Sequence, residues 1–399
     1  MDISDLRVAL FSGNYNYTRD GANQALNRLV GSLLARGAKV RVYSPKVAQP
    51  DFAPTGDLVG LPNVPMPVKG RGEYRMPTHL GAAVKRDLEA FAPDIVHLSS
   101  PDPAAHAALR WARARGLPVL ASVHTRFETY PRYYNMAFLE PLIVKGLQRF
   151  YNRCDALVAP SQSMIDELLA MGMHSRIGLW SRGVDRTIFS SARRDREWRR
   201  SIGLSDEDVA IVFLGRLVME KGLDVFAETI ARLKAAGAPH KVLVIGDGPA
   251  RGWFEANLPA GAIFAGFKTG DALGQALASG DVFFNPSVTE TFGNVTLEAM
   301  ASGLPVVAAG ATGSASLVAD GITGRLVAPS GSKEADAAAF AAVLAPYCSD
   351  PALRSGHGAA GETRACEYSW EAINAVVADT YLELVEEGRR AAKPPREAA

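Results

Sequence analysis

Two cations and two carboxylates in the second half of the chain have the types and spacing to handle a sugar joined to phosphate. Arg216 and Lys221 stand in Leu214-Gly-Arg-Leu-Val-Met-Glu-Lys-Gly-Leu223. This segment is expected to leave a strand, turn on Gly215 and run into a helix that begins near Gly222. A helix start offers backbone N–H groups that no carbonyl uses, and cations beside it complete a diphosphate site. Glu290 and Glu298 stand in Pro286-Ser-Val-Thr-Glu-Thr-Phe-Gly-Asn-Val-Thr-Leu-Glu-Ala-Met-Ala-Ser-Gly-Leu-Pro305. Glu290 is placed at a strand exit and Glu298 inside the following helix. The turn Thr291–Asn294 presents successive N–H groups at the helix start, a pocket for phosphate and sugar oxygens. A carboxylate at the turn can accept from sugar hydroxyls, and one on the helix from a ribose. Two such carboxylates also suit the acid and base of a hydrolase. The anion pocket beside them favours a phosphate-bearing donor.

Weaker signals surround this set. In Ile245-Gly-Asp-Gly-Pro249, Gly246 and Gly248 would let a ligand approach the backbone, although a plain tight turn explains them equally well. Phe264-Ala-Gly-Phe267 follows another strand, and its backbone could meet a nucleobase edge. In the first half, Phe11-Ser-Gly13 leads through Tyr15–Asp20 to Gly21 at a helix start. His124 follows an apolar run at the carboxyl end of a strand, where reactive groups collect in open parallel sheets; a structural histidine is the ordinary alternative.

The elements that must position these residues alternate between strand and helix. Strands are predicted at Leu6–Phe11, Val40–Tyr43, Ile95–Leu98, Pro118–Val123 and Ala156–Ala159, with a helix over Gly21–Arg36. The pattern restarts near residue 209 with strands at Val209–Leu214, Lys241–Ile245, Ala262–Phe264, Val282–Phe284 and Pro305–Ala309, and helices over Leu223–Ala236 and Asn294–Ser302. Such alternation predicts parallel sheets of right-handed βαβ units. The fold class is therefore α/β, two doubly wound domains, with ligands at the carboxyl ends of the strands in a crevice between them. The domains are placed at 1–188 and 189–369, with a C-terminal helix over 370–399 returning to the first domain and ending in a frayed tail. The Arg-rich stretch Arg193–Arg200 is expected to be a solvated helix.

A chain of 399 residues with net charge +1 is too long for one ordinary core and too nearly neutral for bulk nucleic-acid binding. The charge is uneven: residues 1–190 hold 23 Lys/Arg against 16 Asp/Glu, and the rest 20 against 26. The three cysteines, Cys154, Cys348 and Cys366, form no Cys-x-x-Cys pair, as expected of reduced thiols in the cytoplasm. The N-terminal segment lacks the basic and apolar regions of a signal peptide, and no run of about 20 apolar residues could span a membrane. No Asp-x-Asp motif stands at a strand end and no cluster has metal-ligand spacing, so no essential metal or cofactor is expected.

The order Gly-Arg-x4-Lys-Gly, Gly-Asp-Gly-Pro, Phe-x-Gly-Phe and Glu-x7-Glu with Glu-Ala-Met-x-x-Gly-x-Pro-Val resembles the family-4 retaining glycosyltransferases over nearly the whole chain. The resemblance implies a GT-B fold, two Rossmann-like domains facing across a cleft. It implies that Arg216 and Lys221 bind the donor diphosphate and that Glu290 orients the donor sugar. The backbone of Phe292, Gly293 and Asn294 would cradle sugar and phosphate, and Glu298 would hold the ribose. Phe267 and Gly246 fall on the donor site, Gly21 on a loop facing the donor phosphate, and His124 on an active-site histidine. Thr291 stands where many members have glycine or another small residue, a change expected to alter pocket shape. Asp20-Gly21 replaces the common Gly-Gly, so only Gly21 is carried over.

A narrower resemblance lies in Ser122-Val-His-Thr-Arg-Phe-Glu-Thr-Tyr-Pro-Arg-Tyr-Tyr134 and Leu179-Trp-Ser-Arg-Gly-Val-Asp185. Both look like the lipid-directed branch with sulfoquinovosyl- and glycosyl-diacylglycerol synthases, although Arg182 replaces the asparagine common elsewhere. Residues 126–153 interleave Arg126, Arg132, Lys145, Arg149 and Arg153 with Phe127, Tyr130, Tyr133, Tyr134, Phe138, Phe150 and Tyr151. Lys69, Arg71 and Arg75 add charge. Basic and aromatic residues together suit an anionic membrane surface; a core-packed helix with a basic outer face is the alternative.

The expected activity is retaining transfer of glucose or glucuronic acid from a UDP-sugar to diacylglycerol or ceramide, at the inner face of the cytoplasmic membrane. Arg126 could pair with a glucuronate carboxylate. Transfer from GDP-mannose and transfer to a soluble sugar are the alternatives within the class. A nucleotide-sugar-binding module without activity and a nucleotide-sugar epimerase are those outside it.

Overall fold

The computed structural model describes residues 1–391 except 19–20, 67–73, 126, 128–136 and 175. The chain divides into two compact units, Met1–Ser181 with Trp370–Ala399, and Arg182–Ser369. The first boundary falls seven residues before the one read from the sequence.

In the first unit the strands are β1 (Arg7–Phe11), β2 (Lys39–Ser44), β3 (Asp57–Gly60), a small hairpin β4 (Asn63–Pro65) and β5 (Arg75–Pro77), then β6 (Ile95–Leu98), β7 (Val119–Ser122), β8 (Ala156–Ala159) and β9 (Arg176–Leu179). Outside the hairpin they form one sheet in the order β3-β2-β1-β6-β7-β8-β9. All its pairings are parallel. Four-residue apolar runs such as Ile95–Leu98 and Val119–Ser122 are buried throughout, as a sheet covered on both faces requires. The C-terminal helix Trp370–Ala391 packs on this unit. Its Tyr381 and Val377 are fully buried, and Arg28 lies over the Trp370 ring at 5.0 Å.

The second unit carries β10 (Ala210–Leu214), β11 (Lys241–Ile245), β12 (Ile263–Gly266), β13 (Val282–Asn285), β14 (Val306–Ala309) and β15 (Gly324–Val327). Their order is β12-β11-β10-β13-β14-β15, again parallel. Alternate residues feed two cores. Ile211, Phe213, Val244 and Phe284 face one, and Val212, Leu243, Ile245 and Phe283 the other. On the first face Phe226 stacks on Phe284 at 4.8 Å and meets Phe213 and Phe254 edge-on at 5.5 Å.

The Arg-rich stretch corrects the sequence reading. The helix there is Arg196–Ser201, and Arg199 is fully buried. Its guanidinium donates to the carbonyls of Ser279, Ser205 and Asp208 and pairs with Asp281 at 3.0 Å. Charge counting cannot tell a cation that pins three chain segments from one in water, because a buried guanidinium is stable only where acceptors surround it.

Candidate active site

In the second sheet strand order reverses between β10 and β13, the place where open α/β sheets bind ligands. The chain leaving β10 carries Arg216 and Lys221; the chain leaving β13 carries Glu290. Lys221 Nζ and Glu290 Oε1 are 2.8 Å apart, and both side chains are partly solvent-accessible, while Arg216 is exposed. Two further contacts tie these loops together. Thr289 Oγ1 donates to the Glu220 carbonyl at 3.3 Å. Gly222 adopts φ +73, where a Cβ would lie 3.2 Å from Pro286. Buried Asn285 accepts from Ser287 N at 3.1 Å and donates to Thr296 Oγ1 at 3.3 Å, which fixes the strand exit that presents Glu290.

The turn after Glu290 runs into the helix Asn294–Ala301, preceded by Gly293 in the left-handed region with no side-chain cap. Its first amides therefore have neither a side-chain cap nor a carbonyl partner within the helix. The Phe292 side chain is buried against Tyr368, centroids 6.1 Å apart, so this residue offers the site its backbone alone. A brace that the motif reading missed comes from the first turn of the helix Thr312–Leu317, which follows β14. Gly313 N donates to the Glu290 carbonyl at 2.9 Å, and a Cβ at Gly313 would lie 2.4 Å from the Phe292 carbonyl carbon. The signal available in the sequence was Gly310 and Gly313 directly after a strand.

The glycines of the Gly-Asp-Gly-Pro loop have a packing reason within the chain. Gly215 N donates to Ile245 O, Leu217 N to Asp247 O, and Ala250 N to Leu217 O, so the loops after β10 and β11 run side by side. A Cβ at Gly246 would lie 1.9 Å from Gly215 O, and one at Gly248 2.5 Å from Leu217 O. The close approach seen here is between two backbones of this chain. Phe267, past the end of β12, is 69% exposed and open to a flat partner. Glu298 is half-buried on the helix Asn294–Ala301.

In the first unit Gly21 opens the helix Gly21–Ala35. Residues 15–17, earlier in the chain, are firmly held. Tyr15 Oη donates to Thr55 O at 2.7 Å, Asn16 to Phe52 O at 2.9 Å, and Tyr17 Oη to Gly13 O at 2.7 Å. Gly13 N in turn donates to Ser100 Oγ, which donates to Asp102 at 2.6 Å. Burial pushes the Asp102 carboxyl up to about 6 against the opposing pull of its Ser100 and Ala105 hydrogen bonds. His124 stands two residues past β7, buried, its ring edge-on to Trp180 at 5.2 Å.

Of the basic-aromatic set, Arg126, Tyr130, Arg132, Tyr133, Tyr134, Lys69 and Arg71 lie outside the described residues. Lys145 and Arg149 are exposed on the helix Glu140–Tyr151, together with Leu142 at 68% and, just before it, Phe138 at 76%. Phe150 and Tyr151 are corrected: both are buried, and Phe150 packs on His106 at 4.6 Å. No described helix is long and apolar enough to cross a membrane.

Residues 19–187 match the domain described as Glycosyltransferase Family 4, and residues 208–346 match Glycosyl transferases group 1. The chain is 32% identical to the sulfoquinovosyl transferase of Arabidopsis thaliana over 81% of its own length and 64% of the plant protein's. It is also 32% identical to the GDP-mannose-dependent alpha-mannosyltransferase of Mycolicibacterium smegmatis, over 81% of this chain and 84% of that one. Among solved structures, the sucrose-phosphate synthase of Thermosynechococcus elongatus superposes with a TM-score of 0.77 at 20% identity, covering 96% of this chain and 100% of the other. Two parallel-sheet domains with these neighbours define a glycosyltransferase of the GT-B fold. The chain belongs to glycosyltransferase family 4.

Proposed function

We propose that this protein is a retaining, metal-independent hexosyltransferase that moves glucose or glucuronic acid from a UDP-sugar to a membrane lipid, diacylglycerol or ceramide. The observation that carries the donor half is the joining of Lys221 and Glu290 at the strand-order reversal, beside a helix start with no side-chain cap. Cations and free amides neutralise the diphosphate, and the carboxylate accepts from sugar hydroxyls. Among the described residues no cluster of three or more His, Cys, Asp or Glu could hold a metal ion; charge neutralisation is assigned to Arg216, Lys221 and the helix start.

In the reaction the bond from the anomeric carbon to the leaving phosphate oxygen breaks. A bond to the acceptor hydroxyl oxygen forms on the same face, and the acceptor proton passes to that phosphate oxygen. Glu290 positions the sugar, and His124 orients it or stabilises developing charge.

The lipid acceptor draws support from the names of two relatives. One is the sulfoquinovosyl transferase; the other is an alpha-monoglucosyldiacylglycerol synthase of Acholeplasma laidlawii, 20% identical over 76% of this chain and 80% of that one. Exposed Phe138, Leu142, Lys145 and Arg149 offer a surface for an anionic bilayer at the inner face of the cytoplasmic membrane. A second reading is transfer from GDP-mannose, favoured by the Mycolicibacterium relative and by a GDP-mannose-dependent alpha-mannosyltransferase of Corynebacterium glutamicum, 28% identical over 96% of this chain and 90% of that one.

The test is UDP and GDP release from a panel of nucleotide sugars, with and without vesicles holding diacylglycerol or ceramide, while radiolabel in the organic phase is counted. Label entering lipid from one UDP-sugar supports the reading, and label from GDP-mannose selects the second. Nucleotide release without label in the organic phase overturns the lipid acceptor.

A further inference from the structure

Around His124, side chains from four segments of the first unit form one chain of contacts. Trp180 follows β9 and is 1% exposed. Its amide donates to Ala159 O at 2.8 Å, which ties the residue to the end of β8. The indole meets the His124 imidazole with ring planes at 66°. The indole Nε1–H donates to Asn374 Oδ1 at 3.4 Å, on the C-terminal helix. A third ring, His97 in β6, has its centre 6.1 Å from the indole and is held between Tyr381 Oη at 2.5 Å and Ser122 Oγ at 2.8 Å. Burial pushes the His97 imidazole down to about 3. The ring is therefore neutral, and its two nitrogens take opposite donor and acceptor roles.

Asn374, His97, Tyr381 and Ser122 are all buried. Apolar residues of similar size would seat the C-terminal helix at least as well, because buried polar groups repay their lost hydration only when each partner is placed correctly. What a polar set adds is a defined orientation. Here the group it orients is the indole that flanks His124, and an edge-on ring pair biases orientation by a factor of about two to ten.

We propose that Trp180 is a positioning residue for His124, and that the C-terminal helix sets the imidazole orientation through Asn374 and the Tyr381–His97–Ser122 chain. The catalytic consequence rests on the role given to His124 above; the coupling itself does not. A helix that stands 194 residues past Trp180, at Asn374, thereby becomes part of how the active-site histidine is held.

The test uses the full chain carrying Trp180→Phe, Trp180→Leu, Asn374→Leu or Tyr381→Phe. Melting curves confirm the fold, and imidazole proton–carbon correlation spectra follow His124, assigned by the signal lost in His124→Asn. The indole ring current makes those signals a direct reading of Trp180 placement. Asn374→Leu and Tyr381→Phe, which do not touch His124, are expected to move its signals. They should lower kcat about tenfold, with the donor KM within about twofold. Trp180→Leu should exceed both and Trp180→Phe fall between; if Trp180→Leu does not fold, the two helix variants decide. His124 signals at their wild-type positions in both helix variants overturn the proposal, as do moved signals with unchanged kcat in a chain whose His124→Asn form is inactive. Full turnover by His124→Asn overturns the role of His124 instead, and the spectra still judge the coupling.

Discussion

Lys221 Nζ lies 2.8 Å from Glu290 Oε1, so the cation assigned to the donor phosphates is paired with the carboxylate assigned to the donor sugar. A diphosphate entering the site competes with Glu290 for Lys221, and a charge-assisted bond must be exchanged rather than made anew. Two substitutions are therefore expected to act in opposite directions on binding. Glu290→Gln frees Lys221 and removes a negative charge, so UDP or GDP alone should bind as tightly as to wild type or up to about tenfold tighter, while sugar transfer falls by about 100-fold or more. Lys221→Met should weaken nucleoside diphosphate binding by about tenfold or more. Calorimetry beside turnover assays checks both. Weaker diphosphate binding by Glu290→Gln would show that the pair does not compete with donor.

The reason for the Gly-Asp-Gly-Pro glycines can be tested by stability alone. At Gly246, φ is +138 and a Cβ would meet Gly215 O at 1.9 Å. Gly246→Ala should cost about 2–4 kcal/mol, because backbone on both sides must shift. Gly252, in the helix Arg251–Asn257 with nothing within 4 Å of its would-be Cβ, is the control. Gly252→Ala should be neutral or stabilise by about 0.5–1 kcal/mol. Urea denaturation of the two variants compares them directly, and equal stabilities would remove the packing argument.

The same glycines show how far the sequence could be read. Both parallel sheets were legible because buried runs such as Val242–Ile245 and Ile95–Leu98 are bounded by turns and separated by helical patterns. Short half-buried strands at the rims, Asp57–Gly60 and Arg176–Leu179, carry no such run and were missed. The places of Arg216, Lys221 and Glu290 past strand exits, and of Glu298 on the helix Asn294–Ala301, were legible because all four stand within dense motifs. Gly313 and Trp180 were not, because one braces Glu290 through a backbone bond and the other touches His124 from a strand end far along the chain. The failed readings share one cause. Arg199, Phe150 and Tyr151 were judged by residue type in a local run, and burial is decided by what the third dimension brings opposite them.

Two titratable groups, buried His97 and half-buried Asp102, give the first unit opposing pH dependences. His97 falls from 6.5 to about 3 on folding, so its contribution is complete above pH 6.5 and is lost as pH falls toward 3. Asp102 rises from 3.8 to about 6, so its contribution is complete below pH 3.8 and is lost as pH rises toward 6. Each slope approaches about 1.4 kcal/mol per pH unit, with that of half-buried Asp102 the shallower. Between about pH 4 and 6 the two largely cancel, and each variant should unmask the other. His97→Gln should grow more stable relative to wild type as pH falls through this window. Asp102→Asn, which keeps an N-cap for the helix Pro103–Arg113, should grow less stable relative to wild type over the same window. Denaturation midpoints at pH 4, 5, 6 and 7 supply the measurement, and parallel profiles for all three proteins would refute both assignments.

The helix Glu140–Tyr151 separates its two faces sharply: Leu147, Phe150 and Tyr151 enter the core, while Leu142, Lys145 and Arg149 face solvent. If this outer face meets an anionic bilayer, charge and apolar area contribute separately. Each basic residue near the surface adds about 1 kcal/mol, and that part is screened by salt. Burying a leucine side chain adds about 1.5–3 kcal/mol that salt does not weaken. Lys145→Glu with Arg149→Glu is therefore expected to reduce sedimentation with phosphatidylglycerol vesicles strongly at low ionic strength and less at 0.5 M salt. Leu142→Ser should reduce it at both. None of these changes touches the core, so melting temperature and nucleoside diphosphate binding should hold at wild-type values. Wild-type binding to neutral phosphatidylcholine vesicles equal to that on anionic ones would remove the electrostatic part of the argument. No effect from Leu142→Ser would place the membrane contact elsewhere on the chain.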